Sequence, residues 1–388
     1  MSTLDILEKL IAFDTVSANP NIALIHWLEE LLCNAGATVT CLCNAAADKA
    51  NLYATIGPTD KPGILLSGHT DVVPVSGQNW SVPPFAMTVN DGKVYGRGSA
   101  DMKGFVASAV RIALLAAQRE LQTPLHLGFS YDEEIGCVGV RSMIDMLDLS
   151  SVKPLMCIVG EPTEMNIASG HKGKTACHVT CIGKAGHSAL APNAVNAIHL
   201  ATDLIEKVRK LQCELAQSGN NDTDYDIPYT TLHISNIRGG VALNIVPDCC
   251  TFDLEIRNLH QDNPLEILQQ VEAAAREIVD NSRPPAAETD IHIETFNTYP
   301  GLNTDVHESV VAFVRSLTDG NQLFKVAFGT EGGLFSSKLG IPTVVCGPGS
   351  MDQGHKADEF VSLEQLRRCD RMMDNLLNTL ENGISQSH

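Results

Sequence analysis

Two adjacent glutamates, Glu133 and Glu134, follow an apolar run from Leu125 to Phe129 that has the composition of a buried strand. A carboxylate at the end of such a strand must be desolvated or paired, and neighbouring like charges raise each other's pKa. The pair is costly unless a cation balances the charge or one member exchanges a proton. It therefore predicts a site with a bound cation, proton transfer or both.

Other histidines and carboxylates occupy comparable positions. His69 and Asp71 lie two residues apart in "GHTD", so both side chains point to the same face of an extended chain. Imidazole and carboxylate together suit zinc, and a second carboxylate often orients a histidine ligand. Asp101 in "GRGSADMKG" stands just before a helix, where an N-cap is the alternative role. Glu161 ends an apolar strand in "IVGEPT", and His355 follows the last apolar strand and a glycine-rich turn.

These residues are expected to converge, because ligands of open α/β sheets bind beyond the carboxyl ends of the strands. Two histidines and three carboxylates hold two divalent ions if one carboxylate bridges, and two ions about 3.5–4 Å apart activate a water. One of the adjacent glutamates is then a ligand, and the other takes the proton of that water and returns it to a leaving amine. The number of ligands does not decide which glutamate has which role.

The elements that must position these residues alternate between helix and strand over the first 165 residues. Short apolar strands are predicted at 51–57, 63–69, 125–131 and 155–160, with the helix "MKGFVASAVRIALLAAQRE" between two of them. This order favours an α/β catalytic domain whose largely parallel sheet is covered by helices on both faces. The pattern resumes after Pro300, where "TVVCGPG" is a further buried strand.

The segment between these parts has a different pattern. The residues "TACHVTCIG" alternate as in a strand. A predicted helix follows, then two strands at 229–237 and 249–257, a helix at 264–279 and a strand at 290–296. The order βαββαβ is that of a ferredoxin-like α+β domain. We therefore predict a catalytic domain of residues 1–174 and 298–388 with an inserted domain of residues 175–297. Open sheet edges in such an insert are commonly covered by a second copy, so we expect it to be the dimerisation domain.

The composition excludes several classes of function. The 388 residues carry a net charge of −19, and this excess of negative charge argues against nucleic acid as a partner. The first residues, "MSTLDILEKL", have the pattern of an amphipathic helix rather than a signal or transit peptide, and no apolar stretch is long enough to span a membrane. The 12 cysteines are scattered without a CxxC pair, as in reduced cytosolic proteins. We expect a cytoplasmic protein without a membrane segment.

The motifs "GHTDVVP", "GRGSADMKG", "DEEIG", "GEPT" and "GPG…GH" resemble, in order and spacing, those of the M20 family of dinuclear zinc amidohydrolases and peptidases. The resemblance covers nearly the whole chain. It implies two Zn²⁺ ions per subunit, which Co²⁺ can replace. The ligands that it implies are His69 and Glu161 for one ion, Glu134 and His355 for the other, and Asp101 as the bridge between them.

The same resemblance assigns the residues around the ligands. It makes Glu133 the general acid/base and Asp71 the residue that orients His69. In relatives, the position of His187 in "AGHSAL" donates a hydrogen bond to the tetrahedral oxyanion, and the resemblance suggests that it does so in the site of the other subunit of a homodimer.

Within the family, "SGHKGKTA", "LNIVPDCCTFDLEIR", "FGTEGGLF" and "CGPGSMDQGHKADEF" resemble acetylornithine deacetylases. This implies hydrolysis of N2-acetyl-L-ornithine to L-ornithine and acetate, a step of arginine biosynthesis. It also implies that Arg257 and Asn244 hold the α-carboxylate of this small-molecule substrate, for which a guanidinium is suited by bidentate pairing. Glu331, in a glycine-flanked loop, is a candidate contact for a cationic side chain, and an ordinary loop glutamate is the alternative.

Other interpretations stay open. Succinyl-diaminopimelate desuccinylases share "GHTDVVP" and the "GRGSADMKG" type, and another N-acyl amino acid deacylase or a dipeptidase of the family also fits. A zinc-binding scaffold without catalysis belongs to a different class, and it has no need of Glu133 beside the metal. Arg257 is otherwise a surface arginine of a strand, and His187 an ordinary loop histidine.

Overall fold

The computed structural model describes residues 1–282, 288–320 and 322–384. The chain divides into two compact units. Unit 1 comprises Met1–His171, Leu302–Lys325 and Thr330–His388, and unit 2 comprises Lys172–Gly301 and Val326–Gly329.

Both units contain α-helices. In chain order they are α1 Thr3–Ala12, α2 Ile22–Asn34, α3 Lys103–Ala116, α4 Val140–Leu149, α5 Ala197–Ser218, α6 Pro264–Asp280, α7 Ser309–Leu317, α8 Gly332–Leu339 and α9 Leu363–Asn382, with a 3₁₀-helix at Ser188–Asn193.

The strands form one large sheet in unit 1, a four-stranded sheet in unit 2 and two small sheets. In chain order they are β1 Thr38–Cys43, β2 Ala50–Ile56, β3 Ile64–His69, β4 Thr88–Asn90, β5 Lys93–Tyr95, β6 Leu125–Ser130, β7 Met156–Pro162, β8 Ile167–His171, β9 Gly173–Ile182, β10 Gly186–His187, β11 Thr231–Gly239, β12 Ile245–Val246, β13 Cys249–Asn258, β14 Asp290–Tyr299, β15 Leu302–Asn303, β16 Leu323–Val326, β17 Thr343–Gly347 and β18 Phe360–Ser362.

The main sheet of unit 1 has the strand order β1-β2-β6-β3-β7-β17-β8-β15. The middle strands β6, β3, β7 and β17 are parallel to one another. The flanking pairs are antiparallel. The predicted α/β class with a largely parallel central sheet is therefore confirmed.

Helices cover both faces of this sheet because its strands are apolar on both faces. Along β3, Ile64 and Leu66 belong to the core cluster that includes residues of α1, α3 and α9. Leu65 points the other way, since successive side chains of a strand alternate; it lies beside Gly128, over which Met143 of α4 packs. The helix α3 is buried nearly all round, which is expected of a helix in the middle of a layer.

Unit 2 contains β9, α5, β11, β13, α6 and β14 in that order. Its antiparallel sheet has the order β11-β13-β9-β14, which is the arrangement of a ferredoxin-like domain. Side chains of one sheet face, such as Val179 and Phe252, form a core with α5 and α6. Their neighbours His178 and Asp253 lie on the opposite face. Among the described helices of both units, none combines the length and apolar character that crossing a membrane requires.

Candidate metal centre

The side chains of the candidate site come from neighbouring strands of unit 1. His69 is the last residue of β3, and its register partner in β6 is Ser130, after which the chain reaches Glu133 and Glu134. Glu161 lies near the end of β7, the other neighbour of β3. His355 lies in the segment that leaves β17, which pairs with β7. Parallel pairing therefore brings these residues to one edge of the sheet.

A close approach of α3 to the sheet brings Asp101 to the same place. A Cβ at Gly160 would lie 1.9 Å from Cγ of Phe105, so only glycine allows α3 to pack here beside Glu161. Asp101 precedes α3, but the N-cap residue is Met102, whose side chain makes no capping hydrogen bond. The Asp101 carboxylate therefore does not cap this helix.

The Asp101 carboxylate lies between two histidines. Its Oδ1 is 3.1 Å from Nε2 of His69, and its Oδ2 is 3.1 Å from Nε2 of His355. Nε2 of His69 is also 3.7 Å from Oε1 of Glu161, and Nε2 of His355 is 3.0 Å from Oε2 of Glu134. Two clusters of nitrogen and oxygen donors therefore share one carboxylate.

Distance alone does not distinguish the two adjacent glutamates. Potential ligand atoms of His69, Glu133 and Glu161 lie within 4.8 Å of one another, and the same holds for His69, Asp101 and Glu134. The carboxylates differ in their partners: Glu134 faces His355, whereas Oε1 of Glu133 accepts a 3.3 Å hydrogen bond from the Cys137 thiol.

Asp71 has a connection that the sequence did not reveal. Nδ1 of His69 is 2.9 Å from the main-chain oxygen of Asp71 and 3.5 Å from its carboxylate. The carboxylate accepts hydrogen bonds from the backbone N–H groups of Glu133 and Glu134, at 3.1 and 3.3 Å, and from the Ser17 hydroxyl at 2.7 Å. Asp71 therefore holds the turn that carries both glutamates as well as the imidazole.

The pKa values of the carboxyl groups show the effect of burial and of neighbouring negative charges. Burial raises the pKa of Glu133 to about 8, with the charge of Glu134 as a further cause. Burial and the charge of Asp101 raise the pKa of Glu134 to about 7 and that of Glu161 well above its usual range. Hydrogen bonds to Asp101 and Glu134 raise the pKa of His355 to about 10. Charged carboxylates in such a place need cations.

The residues present fit a pair of divalent metal ions. Oε1 of Glu134 is buried and, among the described residues, has no hydrogen-bond partner, which leaves it available to a ligand. His69, Asp101 and Glu161 are each at most 5% exposed. Imidazole nitrogens and carboxylate oxygens are the donors that Zn²⁺ accepts in catalytic sites.

Glu331 lies in the same unit, but it is not an exposed loop residue. It is 1% exposed and directly precedes α8. Its carboxylate accepts hydrogen bonds from the hydroxyl groups of Ser130, the last residue of β6, and of Ser67, two residues before His69 in β3. Burial raises its pKa to about 7. A contact between Glu331 and a substrate stays a prediction.

The other predicted substrate residues belong to unit 2. His187 and Asn244 are exposed, in adjoining segments where the backbone N–H of Ser188 donates to the Asn244 carbonyl at 3.1 Å. The Arg257 guanidinium donates to both carboxylate oxygens of Glu255, at 2.7 and 3.3 Å, and to the Tyr299 hydroxyl at 3.0 Å. A substrate carboxylate bound by the Arg257 guanidinium would compete with Glu255 and Tyr299 for its N–H groups. The roles of His187, Asn244 and Arg257 stay predictions.

Comparisons with known proteins agree with this chemistry. Residues 65–379, more than half of the chain, match peptidase family M20/M25/M40. An acetylornithine deacetylase of Myxococcus xanthus is 32% identical over 372 residues, which cover 95% of this chain and 94% of the relative.

Solved structures share the fold. An M20 family metallo-carboxypeptidase from Sulfolobus solfataricus has a TM-score of 0.80 at 18% identity, over 99% of this chain and 100% of that chain. A dinuclear metal binding peptidase of the M20 family from Bacillus subtilis has a TM-score of 0.70 at 14% identity, over 98% of each chain.

Proposed function

The chain belongs to peptidase family M20/M25/M40, and we propose that within this family of metal-dependent hydrolases it is a two-zinc deacetylase that converts N2-acetyl-L-ornithine to L-ornithine and acetate. The observation that carries the catalytic part is the Asp101 carboxylate, whose two oxygens each lie 3.1 Å from a different histidine. The choice of substrate rests on the relative of 32% identity that spans nearly all of the chain. The proposal includes a cytoplasmic homodimer that acts in arginine biosynthesis.

In this proposal the two histidines belong to different ions. His69 and Glu161 would hold one ion, Glu134 and His355 would hold the other, and Asp101 would be shared between them. The distances from Nε2 of His69 to Glu161, 3.7 Å, and from Nε2 of His355 to Glu134, 3.0 Å, support this division. When bound, two zinc ions supply a water of lowered pKa and polarise the amide carbonyl of the substrate.

Glu133 is the proposed proton carrier. It accepts a proton from the attacking water and returns it to the amine that leaves when the amide bond breaks. Two features support this role. The backbone N–H of Glu133 is held by Asp71, and its carboxylate has the Cys137 thiol rather than a histidine as its hydrogen-bond partner. Both features favour a side chain that lies beside the ligands and is not itself one.

His187 is the proposed donor to the oxyanion. Its Nδ1 accepts a hydrogen bond from the backbone N–H of Ala189 at 3.1 Å, so the neutral ring carries its proton on Nε2. The side chain is exposed, which leaves this N–H free to donate to a developing negative charge. We propose that it does so in the site of the partner subunit, while Arg257 and Asn244 hold the substrate's α-carboxylate.

A substrate panel tests the proposal. The purified chain is stripped with a chelator, resupplied with Zn²⁺ or Co²⁺, and assayed for release of free amine from N2-acetyl-L-ornithine, N-succinyl-diaminopimelate and a dipeptide. We expect the highest kcat/KM for acetylornithine and no activity before metal is returned. A preference for the succinylated substrate would identify a desuccinylase instead. Metal binding without hydrolysis of any substrate would identify a scaffold.

A further inference from the structure

A buried ion pair joins two segments that are far apart in the sequence of unit 1. Nη1 of Arg97 donates to Oε2 of Glu359 at 2.6 Å, and both residues are 1% exposed. Burying two charges is unfavourable unless hydrogen bonds satisfy the remaining donors and acceptors. The other partners of this pair therefore show what it holds in place.

The Glu359 carboxylate binds the turn that carries Asp101. Its Oε1 accepts the backbone N–H groups of Ala100 and Asp101, at 2.9 and 3.0 Å, and its Oε2 accepts that of Gly98 at 3.0 Å. Three hydrogen bonds from the backbone of one turn to one carboxylate hold that backbone in position. Asp101, whose side chain lies between the two histidines, is at the end of this turn.

Arg97 reaches the segment that carries His355 through Gln78. Nη2 of Arg97 donates to Oε1 of Gln78 at 2.6 Å, and Nε2 of Gln78 donates to the main-chain oxygen of His355 at 3.1 Å. His355 has a φ of 60°, a left-handed conformation that is costly for a residue with a side chain and persists only where its surroundings hold it. The guanidinium also lies over the Trp80 ring, 5.0 Å from its centre.

We propose that Arg97, Glu359 and Gln78 are positioning residues of the metal centre, an inference that rests on the proposed function. One charged network sets the backbone of the bridging carboxylate, and the same network sets the backbone of the histidine that faces it. Both 3.1 Å distances depend on the backbone position of Asp101, and the distance to His355 depends on the backbone of His355 as well. The network thus holds Asp101 and His355 in position in the metal-free protein. Its loss should therefore lower the affinity for the metal, without a direct part in the reaction.

Zinc titration of the full chain tests the proposal. The chain is stripped with a chelator and titrated with Zn²⁺ alone in a calorimeter, so the readout is affinity and stoichiometry and not activity. Glu359→Gln keeps the shape, but its amide nitrogen cannot accept hydrogen bonds and Arg97 loses its counter-charge. We expect affinity for zinc to fall about 10–100-fold, the usual effect of removing a partner that supports metal ligands. Gln78→Ala should weaken only the ion that His355 holds.

Asp370→Asn is the matched control. The Asp370 carboxylate also joins distant parts of unit 1, since it accepts hydrogen bonds from the hydroxyl groups of Thr3 on α1 and Ser108 on α3. Its removal should loosen the unit without changing zinc affinity. An equal loss of affinity in Asp370→Asn would show a general effect of stability and overturn the proposal.

Unchanged affinities in a folded Glu359→Gln variant would also overturn it. If that variant does not fold, the Gln78→Ala variant provides the test, because Gln78 is only half-buried. Wild-type zinc affinity in Gln78→Ala overturns the proposal as well. A wild-type chain that binds no zinc refutes the proposed function, and this inference with it. Two bound ions in the wild type together with unchanged variants refute only the positioning role.

Discussion

Replacing Glu133 by glutamine should remove the proton carrier and leave both metal ions in place, whereas Glu134→Gln should remove a ligand. The two carboxylates belong to adjacent, partly buried residues and are similarly close to His69, so a non-specific effect on the site would be alike in both variants. They differ in the atoms they face, since Oε2 of Glu134 is 3.0 Å from Nε2 of His355 and Oε1 of Glu133 contacts the Cys137 thiol.

The expected magnitudes follow from these contacts. Loss of a general base lowers kcat about 10²–10⁴-fold, which corresponds to about 3–5 kcal/mol of transition-state stabilisation. Asp71 holds the backbone N–H of Glu133 and not its side chain, so Glu133→Gln should keep the turn in place. In Glu134→Gln, an amide nitrogen that cannot coordinate a cation replaces one carboxylate oxygen, and the affinity of one ion should fall.

The assay combines metal analysis with kinetics. Each variant is dialysed against a low, buffered concentration of Zn²⁺, its zinc content is measured, and release of ornithine is followed at saturating acetylornithine. We expect two ions and little turnover for Glu133→Gln, and fewer than two ions for Glu134→Gln. The reverse pattern of metal content would show that the two roles are exchanged. A Glu133→Gln variant with more than a tenth of wild-type kcat would refute its role as base.

Three further predictions concern other parts of the chain. Asp101→Ala should lower the zinc content below two per chain as well as the rate, because its oxygens face both histidines; full activity of wild-type protein without a bound transition metal would contradict this. Mixing the inactive His187→Ala and Glu133→Ala homodimers should restore about a quarter of wild-type activity, since roughly half of the dimers are mixed and each has one intact site; exchange of subunits without recovery would place His187 in its own chain or outside catalysis. Burial lowers the pKa of His126 from 6.5 to about 4, so the unfolded state binds more protons between these values and the free energy of unfolding should fall by up to about 3 kcal/mol as the pH drops through this range. Urea unfolding at pH 7 and pH 5 checks this, and an identical pH dependence in His126→Gln would contradict it.

The sequence by itself determined the class of the fold and the residues worth testing. Apolar runs such as 63–69 and 125–131 predict buried strands because burial on both faces leaves a local pattern, and β3 and β6 lie at these places. A carboxylate or histidine at the end of such a run also stands out in the sequence, because burying a polar group costs free energy unless it is hydrogen-bonded, paired or bound to a metal.

Only the tertiary structure decided which distant segments meet. Strand β17 lies between β7 and β8, although β7 and β8 are close in the chain and β17 comes much later. The bond between Arg97 and Glu359 spans 262 positions, and the carboxylate of Asp71 is bound by the backbone of Glu133, 62 positions away. Strand order and buried hydrogen bonds of this kind depend on how whole layers pack, and they leave no periodic pattern in the residues near either partner.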